Sequence, residues 1–406
     1  MEKIYYDVIY LTACGVNSVR PSEAFLMELK RRGEENRAAD TQAGQQVSYL
    51  EQLYRVSRAH SLDALVGSTL RQAGIELPRN WTEGIAKAVR KALLFDAERK
   101  GILDFMEQRG IWYLPLKGVV LKDYYPAVGM RQMSDNDILY DADFGRELLE
   151  YMKSRGYRAV SMGIGTHDVY RKEPVLNFEM HRALYGTSHD PKWVTYYRNV
   201  KERLLPDNGS SYGYHFSRED FYVYLVCHAF KHYSVSGTGL RTLLDFYVYL
   251  RAEETQLDIA YIRRECEVLG IAAFEELSKT LSKKIFAPPG DCSQEDFEKR
   301  LSLEEGEALS YYLCSGVHGT RINYTKKEVQ KRGKVGFLLY KLFLPLPLME
   351  DSFPILQKAP FLLPVCWVVR WIKPFFVRER RERAIGQLRA FLKVVLLMVL
   401  KYLMIA

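Results

Sequence analysis

At 406 residues the chain has room for two to four domains, or for one core with appendages. An apolar share of 48%, with 28 Tyr and 19 Phe, excludes a disordered polymer and calls for a filled interior. The net charge of +8 suits anionic partners such as nucleotides, nucleic acids or an acidic membrane surface, and selects none of them. The six cysteines, no two within twenty residues of each other, form neither a disulfide framework nor a zinc pattern. They suit a reducing compartment. The opening "MEKIYYDVIYLTACG" has an early Glu and Asp and no proper apolar core, so no signal peptide is expected. No run reaches the roughly 20 apolar residues of a spanning helix. A cytoplasmic location is the expectation.

The first hundred residues read as helices. Leu50, Leu53 and Tyr54, then Leu62, Leu65 and Val66, keep the spacing of a buried helical stripe. A longer helix is expected from near Asn80, with Ile85, Ala88, Val89, Ala92 and Leu93 on one face and Gly110 as its stop. The texture then changes. "IWYLPLKG" reads as a strand entering a turn, "VVLKDYYP" as a short helix and "DNDILY" as a second strand. "DADFGRELLEYMKSRG" is an amphipathic helix, and "YRAVSM" and "VLNFEMHRAL" are further strands. Helices return from Asp220, and from about Gly333 the chain is rich in proline, large apolar residues and basic charge. The expected class is therefore α+β: a minimal mixed sheet with flanking helices, embedded between helical regions. The expected divisions are 1–109, 110–190, 191–332 and 333–406.

The stretch "GMRQMSDNDILYD" places Asp135 and Asp137 one residue apart, ahead of Ile138 and Leu139. If the segment is extended, both carboxylates point to the same side and form a cradle for a hard divalent ion such as Mg²⁺ or Mn²⁺. Glu179 in "NFEMHRAL" shares a polar strand face with Asn177 and His181, and is the candidate third carboxylate. Upstream, "LPLKGVVL" offers Gly118 at a strand-to-helix turn, with Lys117 as a mobile point charge for phosphates.

The run "LPLKGVVLKDYYPAVGMRQMSDNDILY" followed by "NFEMHRAL" resembles the uncharacterised nucleotidyltransferase family of the DNA polymerase β-like superfamily. The resemblance covers roughly Leu50 to Leu250. It implies Asp135, Asp137 and Glu179 as catalytic metal ligands, and Lys117, Gly118, Arg131 and His181 as nucleotide-contacting residues. It further implies an NTP substrate and transfer of its NMP group to a hydroxyl, with release of pyrophosphate. The acceptor stays open among a small molecule, a sugar, RNA and a protein. In one respect the chain departs from the superfamily. Val119 follows Gly118 where serine or a second glycine is usual, which removes a hydroxyl from the phosphate cradle. A catalytically weak nucleotide-binding or interaction scaffold of the same fold is the competing reading.

Blander roles stand beside these. The aspartate pair could cap a turn, and Arg131 could pair with Asp135 or Asp141. Arg241 and Asp245, four apart, could pair on a helix surface. His228 and His232 in "HAFKH" lack the glutamate of zinc proteases. The final basic helix, with Arg389, Lys393 and Lys401 beside Leu392, Val395, Leu396 and Val399, could pack on the protein, or contact an acidic membrane and hold the chain at its inner surface.

Overall fold

The computed structural model describes residues 1–40, 48–163, 165–290, 293–317, 319–350 and 352–376. The expected C-terminal basic helix lies outside the described residues. Five helices precede the sheet: α1 (Lys3–Val16), α2 (Glu23–Asp40), α3 (Tyr49–Ala59), α4 (Asp63–Gln72) and α5 (Arg79–Arg109). Two strands around a short helix follow, as β1 (Tyr113–Pro115), α6 (Gly118–Leu121) and β2 (Asn136–Tyr140). Next come α7 (Gly145–Ser154), β3 (Arg158–Ser161), β4 (His167–Lys172) and β5 (Leu176–His181). The strands form one mixed sheet in the order β1-β2-β5-β4-β3, with β2 and β5 parallel and the other neighbours antiparallel. The class is the α+β arrangement expected.

Side-chain alternation separates the faces of this sheet. Ile138 and Tyr140 of β2 and Leu176, Phe178 and Met180 of β5 pack with Phe95, Ile102 and Met106 of α5 and Leu148 and Met152 of α7. The opposite face carries Asp137, Glu179 and His181, and helices follow the sheet. These are α8 (Pro191–Tyr196), α9 (Arg218–Val235), α10 (Leu240–Glu253), α11 (Ile259–Leu269), α12 (Ala272–Phe286), α13 (Gln294–Lys299), α14 (Leu303–Ser315) and α15 (Arg321–Leu342). A two-stranded ribbon, β6 (Leu204–Pro206) and β7 (Tyr214–Phe216), lies between α8 and α9. The N-terminal helices and the helices after the sheet share one core, which runs from Tyr6 through Leu65, Trp81 and Leu139 to Phe246 and Tyr312. At ~25 cal/mol per Å² of buried apolar surface, that shared interior dominates the stabilisation.

Two local differences from expectation have physical reasons. The long helix is unbroken from Arg79 to Arg109, its N-cap is Pro78, and Asn80 lies inside its first turn. The proline supplies a fixed extended entry, and Asn80 accepts from the Trp81 N–H at 3.0 Å. The helix ends at Gly110 in the left-handed conformation, φ 71°, as anticipated. Strand β4 was not expected at all. Its buried face carries Asp168 beside Tyr170, so the sequence shows no apolar–polar alternation there. Asp168 is satisfied locally by the Gly163 N–H, 2.8 Å from its Oδ1.

Candidate functional site

The register of β2 and β5 places Asp137 directly opposite Glu179, and partners on adjacent strands lie about 4.8 Å apart. Asp135 sits two residues upstream, immediately before β2. His181 is two residues beyond Glu179 on the same face, and its Nε2 donates to Asp137 Oδ1 at 2.8 Å. Lys117 Nζ donates to the same oxygen at 2.7 Å. From β4, His167 brings its Nε2 to 3.6 Å from Glu179 Oε2, while His181 Nε2 lies 4.0 Å from that oxygen. His167, Glu179 and His181 each offer a ligand atom within 4.8 Å of the others. No sequence signal singled out His167, because its strand was hidden by the buried Asp168.

Crowded acidic charge shapes the electrostatics. Burial and the neighbouring Asp137 and Asp135 push Glu179 up to about 7. Burial and Asp137 likewise raise Asp135. Burial acts upward on Asp137 too, but Lys117 and His181 outweigh it and hold this carboxyl below its ordinary range. Burial lowers His181 to about 4, so its ring is neutral, and Nε2 keeps the proton it donates to Asp137. Its Nδ1 is then a buried lone pair with no hydrogen-bond partner among the described residues.

The turn before α6 differs from the simple glycine bend expected. Lys117, not Gly118, adopts the positive φ, 49° with ψ −113°, a conformation that costs an L-residue about 1–3 kcal/mol. The ion pair with Asp137 holds it there. Gly118 is needed for room. A Cβ at this position would stand 2.3 Å from Arg131 Nη1. Arg131, expected near the nucleotide or beside Asp135 or Asp141, instead donates Nε and Nη2 to the two oxygens of Asp245 on α10, at 2.9 and 2.8 Å. Tyr125 adds a third bond to Asp245 at 2.7 Å. Arg241, expected to pair with Asp245, donates instead to the Gln132 carbonyl at 2.8 Å.

Helix α9 closes the other side. Ser217 caps its N-terminus by accepting from the Asp220 N–H at 3.0 Å. Tyr224, His228 and Lys231 then follow at i, i+4 and i+7, one stripe of a helix. Burial, followed by the charge of Lys117, lowers Lys231 to about 8, opposed by Asp137 and Glu179. Burial and the same lysines keep His228 neutral. Lys231 makes no ion pair among the described residues.

Asp137 and Glu179 thus face each other on adjacent strands, with Asp135 just before β2 and Lys117 at the turn beside them. The family described as "Uncharacterised nucleotidyltransferase" matches residues 46–287. The chain belongs to that family. The match takes in α3 to α12 and so covers the sheet, the aspartate pair and the stripe on α9. It reaches further at its C-terminal side than the resemblance over Leu50 to Leu250. No curated protein and no solved structure matches the chain. No helix among the described residues is long and apolar enough to cross a membrane.

Proposed function

We propose that this member of the family transfers an NMP group from an NTP to a hydroxyl acceptor and releases pyrophosphate, with Asp135, Asp137 and Glu179 holding Mg²⁺ or Mn²⁺. The observation that carries this reading is the pairing of Asp137 with Glu179 across parallel strands, two residues from Asp135. The donor set fits a divalent ion. Its carboxylates crowd together, so that Asp135 and Glu179 are both raised, and His167, Glu179 and His181 each offer a ligand atom within 4.8 Å of the others. A bound ion would neutralise phosphate charge and acidify the acceptor hydroxyl.

The chain's own groups then have separate tasks. Lys117 supplies a cation beside Asp137 for the triphosphate. Arg131, tied to Asp245, is a positioning residue that sets the Gly118 turn against β2. Glu179 Oε2 is the proton acceptor for the attacking hydroxyl. Helix α9 covers the sheet face and excludes water through Tyr224 and His228.

The test is incubation with labelled NTPs, Mg²⁺ or Mn²⁺ and a panel of hydroxyl acceptors. Label transfer by the native chain and its loss in Asp135→Asn/Asp137→Asn supports the reading. Nucleotide binding without transfer to any acceptor supports the scaffold. One observation favours that second reading: Asp137 Oδ1 already receives both Lys117 and His181, and Val119 offers no hydroxyl to phosphate.

A further inference from the structure

A cavity of ≈430 Å³ reaches Ser134, the residue that precedes Asp135. It lies among α3, the start of α4, the first half of α5 and the residues leading into β2, where Gln132, Met133 and Ser134 form its inner wall. Its size falls within the range of small-molecule sites, ~300–1,000 Å³. Four basic residues line it, Arg58, Lys87, Lys91 and Arg241, against the single carboxylate of Asp63. Two of these cations, Lys91 and Arg241, form no ion pair with a carboxylate among the described residues. Among the described residues, Lys91 Nζ bonds the Ser134 carbonyl at 3.4 Å and lies over the Phe95 ring, and Arg241 donates to the Gln132 carbonyl. Burial destabilises both charges; Asp135 offsets this in part at Lys91, and Asp245 ahead of Asp135 does so at Arg241, against the added repulsion of Arg131. The nearby cations Lys117 and Arg131, by contrast, are tied to Asp137 and Asp245.

A second observation is independent of this charge. Asp63, at the first turn of α4, is only 4% exposed, and its Oδ1 has no hydrogen-bond partner among the described residues. A buried carboxylate oxygen without a donor is costly, roughly 1–3 kcal/mol. A ligand hydroxyl entering the cavity would supply that donor. The wall is otherwise polar, with Asn80, Gln132 and Ser134 able to bond further hydroxyls.

We infer that this cavity is the acceptor site of the transferase, and that the acceptor is a phosphorylated sugar or polyol, its phosphate on Lys87, Lys91 and Arg241 and a hydroxyl on Asp63. The inference rests on the proposed nucleotidyl transfer. In the step itself, an acceptor hydroxyl oxygen forms a bond to the α-phosphorus of the NTP. The α–β phosphoanhydride bond breaks, the hydroxyl proton passes to Glu179, and pyrophosphate leaves with the electron pair. Because the cavity ends one residue short of Asp135, a ligand held there can present a hydroxyl to the aspartate pair.

The experiment is calorimetric titration of a hexose 1-phosphate into the protein already saturated with a non-hydrolysable NTP analogue and Mn²⁺. The unphosphorylated hexose and inorganic phosphate serve as comparison ligands. The hexose phosphate is expected to bind alongside the nucleotide analogue, and the neutral hexose is not. Lys87→Gln/Lys91→Gln, both on the cavity wall, should weaken the hexose phosphate by about tenfold or more and leave the NTP analogue unchanged. Asp63→Asn should weaken the hexose phosphate but not inorganic phosphate. Circular dichroism and thermal unfolding check that both variants fold.

Competition between hexose phosphate and nucleotide analogue would overturn the inference, since the cavity would then belong to the NTP. Equal binding by wild type and both variants would overturn it as well, as would absence of binding to the wild-type complex. Failure of the nucleotidyl-transfer reading looks different: the NTP analogue itself fails to bind, or binds equally well to Asp135→Asn/Asp137→Asn.

Discussion

Arg131 and Asp245 are 114 residues apart and joined by two buried hydrogen bonds, so the approach to β2 is fastened to α10. Removing one partner of such a pair leaves an uncompensated charge, which costs about 3–5 kcal/mol. Asp245→Ala should therefore lower unfolding free energy by that amount in urea titration. Replacing both residues, as Arg131→Met/Asp245→Leu, should cost clearly less than the single change. A double variant as unstable as Asp245→Ala would contradict this account.

The same pair makes Gly118 irreplaceable. The Arg131 guanidinium would ordinarily swing away from an added methyl 2.3 Å distant, but its two bonds to Asp245 hold it. Gly118→Ala is expected to destabilise the fold by ~1–3 kcal/mol. It should also reduce nucleotide binding through the displaced turn at Lys117. Thermal unfolding and a binding titration on one preparation measure both effects.

His60 makes the stability of the helical body depend on pH. It lies at the C-terminal end of α3, 1% exposed, and its Nδ1 accepts from the Leu240 N–H at the start of α10, 3.2 Å away. Burial lowers it to about 4 from 6.5. The folded pKa is depressed, so the neutral ring's contribution is complete above pH 6.5 and is lost as pH falls through about 4. Between pH 7 and pH 5 the loss should be about 2 kcal/mol. Denaturant titrations at the two pH values measure it. His60→Gln, which keeps an acceptor for Leu240 but does not titrate, should shrink the difference by about that amount.

Much of this architecture was readable because it is periodic. The alternation in "DNDILY" and "NFEMHRAL" is local information, and it was sufficient to put Asp137 and Glu179 on one sheet face. Positions fixed by long-range packing were not readable. Strand β4 escaped because Asp168 and Tyr170 share its buried face, and His167 was lost with it. Arg131 could not be assigned its partner from sequence, since Asp245 is brought to it only by the packing of α10. The turn at Lys117 shows a subtler failure. A glycine beside a lysine suggests that glycine takes the unusual dihedral, whereas here an ion pair stabilises it in the lysine and the glycine provides space.

The imidazoles beside Glu179 should govern the choice of ion. Mg²⁺ favours oxygen ligands in a regular octahedron, whereas Mn²⁺ tolerates a nitrogen donor and ranks higher with imidazole. With His167 and His181 near Glu179 Oε2, Mn²⁺ is expected to bind more tightly than Mg²⁺. His167→Ala should narrow the difference by roughly tenfold. Calorimetric titration of each metal alone decides the matter, and equal preference in wild type and variant would remove His167 from the site.

Lys117 should oppose metal binding while it stabilises the metal-free fold. Its ammonium, 15% exposed, sits 2.7 Å from Asp137 and balances part of the charge shared with Asp135 and Glu179. Lys117→Met takes that cation away and leaves three crowded carboxylates, at a cost of about 3 kcal/mol without divalent ions. A bound ion can then occupy the place the ammonium left, so Mn²⁺ should bind the variant more tightly than the wild type. At a hundredfold excess over its dissociation constant, Mn²⁺ would restore about 2.7 kcal/mol. Urea titration with EDTA and with Mn²⁺ should show a variant that is weak without metal and close to wild type with it. A variant equally unstable in both conditions would mean that Lys117 acts only through the strained turn, and that the carboxylates do not gather an ion.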